Sequence, residues 1–176
     1  EAYNSWKDFF KAVEESSYSP PGRMDIDNSR SHWVQFSKSA ISASDFLSEF
    51  EDLKEFEEFV TEFKEGKYTL YSLPLLLSER VHGFQFALGC DFLKEIGNPE
   101  FIKPDTHIKD LFIGMEISDS DSDFDIFLDV VEFAEEIDKK PYEVDKLFWL
   151  VGSGKFHLTG KKVNTDKQEF IQMIGR

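Results

Sequence analysis

Residues 83–112 read GFQFALGCDFLKEIGNPEFIKPDTHIKDLF, two apolar runs separated by Gly97-Asn98-Pro99. Phe84, Ala87, Leu88, Phe92 and Ile96 recur at helical spacing, which predicts a helix with one face in a core. Gly97 is placed to end that helix, with Pro99 just beyond it. Pro104-Asp105 then opens a second helix. A carboxylate at that position can accept hydrogen bonds from the first turn and meets the positive end of the helix dipole.

Working outward, residues 68–77 (YTLYSLPLLL) are apolar, and Pro74 fits a helix only within its first turn. With the stretch that follows they predict two helices joined by a short turn. Residues 3–15 predict an amphipathic helix carrying Trp6, Phe9, Phe10 and Val13 on one face. Residues 16–31, with Pro20-Pro21-Gly22, read as the main loop. A helix is expected from His32, another capped by Ser44-Asp45 and carrying Phe46, Leu47, Phe50 and Leu53, and its continuation or a new helix over residues 55–64. The acidic residues between those apolar positions read as a solvated face.

On the other side, Asp119-Ser120-Asp121-Ser122-Asp123-Phe124-Asp125 matches several ligand positions of a calcium loop. Ile126 stands where that loop needs glycine, however, and Phe124, Phe127, Leu128, Val131 and Ile137 trace a helix beginning inside the run. We therefore read the run as a loop and helix N-terminus. Residues 141–150 predict a further helix stopped at Gly152-Ser153-Gly154. Residues 156–163 read as one small β-hairpin around Thr159-Gly160. Thr165-Asp166 starts a last helix with Phe170, Ile171 and Ile174. Alternation of period two is nearly absent, so the fold class is all-α: a compact multi-helix domain over residues 1–176. Two helical lobes are an alternative, with residues 66–114 carrying the turn and the aspartate.

Composition sets limits. A chain of 176 residues that is 40% hydrophobic can bury a full interior, and its 19 phenylalanines are expected there. No run is long enough to span a membrane and no secretory signal pattern opens the sequence. The lone Cys90 reads as a small buried hydrophobe in a reducing, cytoplasmic setting. The histidines lack ligand spacing, so neither zinc nor another metal is expected, and no cofactor motif or Ser or Cys nucleophile motif occurs. A net charge of −15, from 35 acidic and 20 basic residues, opposes a phosphate backbone unless the basic residues gather on one face.

The segments Ala87-Leu88-Gly89-Cys90-Asp91-Phe92-Leu93-Lys94-Glu95 and Lys103-Pro104-Asp105-Thr106-His107-Ile108 resemble the helix-hairpin-helix DNA glycosylase superfamily, the endonuclease III and 8-oxoguanine glycosylase group. The resemblance covers about the middle third of the chain. It implies a catalytic aspartate at Asp105, which matches the family's Pro-Asp-Val-His or Val-Asp-Thr-His segment. It also implies DNA contacts from the hairpin, here around Gly83 and Gln85. The basic face that the net charge then demands has as candidates Arg80 and His82 in the hairpin, Lys103 and Lys109 beside the aspartate, and Lys155, Lys161 and Lys162 near the C-terminus. The family hairpin reads Leu-Pro-Gly-Val-Gly-Arg-Lys, whereas residues 78–85 read SERVHGFQ and keep the single Gly83. Gln85 falls near the nucleophilic lysine of bifunctional members, and an amide forms no Schiff base. The implied activity is therefore base excision without strand cleavage. The iron–sulfur cluster of some members needs four cysteines.

Two expectations follow from this sequence. One is a monofunctional glycosylase acting through Asp105 on DNA. The other is a non-catalytic acidic module on the same fold, meeting a basic protein partner.

Overall fold

The computed structural model describes residues 3–18, 20–156, 158–163 and 166–174. These residues form helices α1 (Trp6–Glu15), α2 (His32–Leu47), α3 (Leu53–Lys64), α4 (Lys67–Leu70), α5 (Ser72–Arg80), α6 (Phe86–Glu95), α7 (Thr106–Gly114), α8 (Asp123–Glu136), α9 (Pro141–Ser153) and α10 (Lys167–Ile174). The fold is all-α. Where a hairpin was expected near the C-terminus, one isolated antiparallel bridge joins Lys155 and Lys162, and no strand occurs among the described residues. Thr165, expected to open α10, lies outside the described residues. Asp166 does the capping, its Oδ1 accepting from the Gln168 and Glu169 N–H groups.

The chain divides into two units, Glu1–Gln85 and Phe86–Arg176. In the first, α1 packs on α2 around Phe10, Trp33 and Val34, joined by Trp6, Val13, Met24 and Ile26. The indole Nε1 of Trp33 donates to the Pro21 carbonyl at 2.9 Å, which ties the long loop to that core. Farther along, Phe46, Phe50, Phe56, Phe59 and Phe63 form a run of ring contacts linking the end of α2 to α3. Leu73 and Leu77 of α5 are fully buried, and Pro74 sits in that helix's first turn as its missing N–H demands.

One expected boundary moves. Ser44-Asp45 does not open a helix, because α2 continues through both residues to Leu47. The serines of α2 bond back into it, Ser37 Oγ to the Trp33 carbonyl at 2.8 Å and Ser42 Oγ to the Lys38 carbonyl at 3.0 Å. Both hydroxyls bond to the carbonyl one turn earlier, the usual arrangement for a serine inside a helix. The break falls at residues 48–52, and Asp52 caps α3 by accepting from the Glu55 N–H. Leu53, expected on a buried face, is 70% exposed.

In the second unit the core is built from Leu93, Phe101, Ile102, Ile108, Leu111, Phe112, Ile126, Phe127 and Val130, all fully buried. Edge-on ring contacts from Phe86 to Phe127 and from Phe112 to Phe133 and Phe148 knit α6, α7, α8 and α9. Such pairs contribute beyond area burial alone. The buried face of α6 also differs from expectation. Phe86, Gly89, Cys90, Leu93 and Lys94 face inward, whereas Leu88 and Ile96 are about half exposed and Phe84 lies in the turn before the helix. Apolar residues occur on more than one face of this segment, so helical spacing alone admitted two registers. Packing against α8 selected the other one.

Gly97 ends α6 as expected. With φ +104, its N–H reaches the Lys94 carbonyl while the Asn98 N–H reaches the Leu93 carbonyl, the paired closure of a left-handed cap. Ser122 caps α8 inside the acidic run, and Asp123 and Asp125 lie in that helix's first turn. The stop of α9 comes at Gly154, left-handed at φ +64, so Gly152 and Ser153 still belong to the helix. Gly152 is needed for a different reason: a Cβ there would lie 2.8 Å from the Cβ of His107, so α9 approaches the start of α7 only with glycine.

Candidate functional site

Asp105 occupies the N-cap of α7 in an extended conformation, φ −85 and ψ 176. Its Oδ1 accepts from the His107 N–H at 2.9 Å and the Ile108 N–H at 3.2 Å. Among the described residues no hydrogen bond falls on Oδ2. The cap expected from sequence is present, and one carboxylate oxygen suffices for it. Just before it, the Asp105 N–H donates to the Lys103 carbonyl at 2.7 Å, closing a tight turn over the buried Pro104.

That turn rests on a network of charges. Lys94 of α6 and Asp145 of α9 are 7% and 2% exposed, and Nζ meets Oδ2 at 2.9 Å. The same ammonium lies 3.0 Å from Asp91 Oδ1, and Asp91 Oδ2 pairs with Lys103 Nζ at 2.9 Å. Asp145 Oδ2 also accepts from the Lys103 backbone N–H at 3.3 Å. At the edge, Lys146 pairs with Glu95 at 3.2 Å. Burial works to lower the pKa of Lys94, but the Asp145 and Asp91 carboxylates outweigh it and hold the group above the ordinary lysine value. Burial likewise works to raise Asp91, and hydrogen bonds from Lys103 and Lys94 outweigh it and hold the carboxyl below its ordinary value. At Asp145 burial prevails and pushes the carboxyl up, with Lys94 opposing. A lysine held protonated in this way is no Schiff-base nucleophile. Burial first, then the nearby Asp123 and Asp91 charges, push the Cys90 thiol well up, which leaves it unreactive as a nucleophile.

These groups wall a cavity of about 420 Å³, within the range of small-molecule sites. Its lining sets the carboxylates of Asp91, Glu95, Asp105 and Asp145 against the ammonium groups of Lys94, Lys103 and Lys146, so one negative charge is in excess. Trp149 supplies an aromatic wall. A second, more apolar cleft of about 680 Å³ shares Glu95, Lys146 and Trp149 with the first and adds Tyr142, Leu150 and Phe156. His107 meets Trp149 edge-on at 6.1 Å between ring centroids, and its Nδ1 is buried without a partner among the described residues. Among the described residues no group of three or more His, Cys, Asp or Glu side chains could hold a metal ion. No helix of the described residues is long and apolar enough to cross a membrane.

The remaining residues singled out from sequence divide between the units. Arg80, His82, Gly83 and Gln85 belong to the first, Lys103, Asp105 and Lys109 to the second. Arg80 pairs with Glu49, and its guanidinium lies over the Phe46 ring. The His82 N–H donates to Ser42 Oγ at 2.8 Å, its carbonyl accepts from Ser39 Oγ, and its ring Nε2 meets Gln35 Oε1 at 2.8 Å. Gly83 takes φ +77, and Gln85 is exposed. Lys109 pairs with Asp123 at 2.5 Å, linking α7 to α8.

Lys94, Asp145 and Trp149 were missed. Lys94 carried a usable signal, because it lies four residues after Cys90 on the inward face of α6, where an unpaired ammonium is costly. Its partner lies 51 residues away on another helix and had no local signature. No family model, curated protein or solved structure matches the chain.

Proposed function

We propose that this chain is a monofunctional DNA N-glycosylase in which Asp105 drives base excision. The observation that carries the reading is Asp105 itself, fixed through Oδ1 to the start of α7 and lining a cavity whose charge is negative in excess, with Oδ2 unbonded among the described residues. As the N-glycosidic bond breaks, its electron pair leaves with the base, and the sugar gains positive charge at the anomeric carbon. A fixed carboxylate in a partly desolvated site stabilises that cation with little reorganisation. Water then adds at the anomeric carbon and gives up a proton, for which Asp105 is the nearby acceptor. The base must first leave its stack, and the cleft of Tyr142, Trp149 and Phe156 offers aromatic faces of suitable chemistry. Gln85 stands near the place of the nucleophilic lysine of bifunctional members, and an amide forms no Schiff base, so the reading is base excision without strand cleavage.

The test is base release from a panel of damaged and mismatched duplexes by wild type and Asp105→Asn. Asparagine keeps an oxygen for the His107 and Ile108 N–H groups and removes only the charge. The expected result is release by wild type and a loss of about 100-fold or more in the variant. Equal release by both would remove Asp105 from the chemistry.

A second reading has its own support. Of the basic side chains expected to touch phosphate, Arg80, Lys103 and Lys109 already face carboxylates: Glu49, Asp91 and Asp123. The His82 N–H is likewise taken by Ser42. This favours a non-catalytic acidic module meeting a basic protein. Absence of base release together with absence of salt-sensitive DNA binding would select it.

A further inference from the structure

We propose that Lys94 and Asp145 are positioning residues for Asp105, holding its carboxylate in place through the backbone of Lys103. The inference deepens the glycosylase reading and rests on it for its functional consequence.

The path is continuous. Asp145 Oδ2 accepts from both Lys94 Nζ and the Lys103 N–H, so a carboxylate anchored by a buried ammonium fixes the peptide entering the turn. The Lys103 carbonyl accepts the Asp105 N–H at 2.7 Å, and Pro104 between them has its φ locked by its ring. Asp105 Oδ1 then takes the His107 and Ile108 N–H groups in the first turn of α7. Lys94 adds a second hold, because it also binds Asp91, whose other oxygen grips the Lys103 side chain. Lys103 is thus clamped at backbone and side chain by two carboxylates that share one ammonium. Buried pairs of this kind add little net stability compared with apolar residues of similar size. Stability alone therefore does not account for a charge pair at this depth, whereas geometric definition of the 103–105 turn does. The pair also spans α6 and α9, so it sets the turn against two rigid elements.

The test replaces the pair with apolar residues, Lys94→Met/Asp145→Leu, in the full chain, with near-UV circular dichroism and urea unfolding to confirm a native fold. Amide hydrogen exchange reads the His107 and Ile108 N–H groups, with Met115 N–H at the far end of α7 as reference. The expected result is exchange about tenfold faster at His107 and Ile108 and unchanged at Met115, reflecting local opening of the cap alone. Where wild type releases base, single-turnover release should fall about 10- to 100-fold with duplex affinity unchanged, as expected for a misplaced catalytic group. Wild-type protection at both amides would overturn the proposal. If wild type releases no base, the glycosylase reading fails while the exchange comparison still decides the positioning role. Should the double variant not fold, Asp145→Asn, which drops the charge that Lys94 holds, is judged on the same two amides by the same criterion.

Discussion

The turn of residues 81–85 in the first unit and the charged cavity of the second both collect polar groups, but they differ in what holds those groups. In the turn, hydroxyls and an amide do the work: Ser39, Ser42 and Gln35 meet His82, and the ion pair just before it, Arg80 with Glu49, is 42% and 49% exposed on its side chains. In the cavity, Lys94 and Asp145 meet with 5% and 3% of their side chains exposed. Water screens the first pair and replaces either partner at little cost; it has far less access to the second. The same two charge types serve as a surface detail in one place and as a structural constraint in the other, and depth decides which.

The largest expected effect comes from removing one half of the buried pair. Lys94→Met leaves Asp145 without its ammonium and should cost about 3–5 kcal/mol in urea unfolding. A loss under about 1 kcal/mol would erase the contrast between the two regions.

Alkaline pH sharpens the contrast without mutation. Because the folded-state value of Lys94 is raised above 10.5, its contribution is complete below that pH and is lost as pH rises through the folded value. The lowered value of Asp91 has the opposite sense: its contribution is present above 3.8 and lost as pH falls through the folded value. The raised Asp145 works against stability once ionised. Unfolding midpoints of the wild type should therefore fall on going from pH 9 to pH 11.5 by more than those of Lys94→Met/Asp145→Leu. Parallel curves for the two proteins would mean that the pair is not what titrates.

The smallest effect is expected at the turn. Arg80→Ala should cost no more than about 1 kcal/mol, and less in molar salt, because the pair it breaks is exposed. A larger, salt-independent loss would point to the Arg80 contact with the Phe46 ring as the dominant interaction.

Much of this molecule was legible in its sequence because the signals were local. Gly97 ended α6 with Pro99 just beyond, Asp105 capped α7, α8 began inside an acidic run, and Pro74 marked the first turn of α5, each through backbone chemistry confined to a few residues. The errors came where a local pattern was ambiguous. Ser44-Asp45 has the composition of a cap, yet serines earlier in α2 bond back to carbonyls and the helix runs on. The apolar residues of 84–96 fit two helical faces, and only the neighbouring α8 chose between them.

The candidate site divides in the same way. The all-α class, most helix ends and the carboxylate at Asp105 follow from local sequence, because capping and periodicity act over one or two turns. Only the tertiary structure decided that Lys94, Asp91 and Asp145 surround the approach to that carboxylate, and that Trp149 walls its cavity. The physical reason is separation along the chain. A charge buried on α6 needs a counter-charge, but nothing local to residue 94 says that it arrives from α9, and the burial that makes the pair strong exists only once the helices have packed.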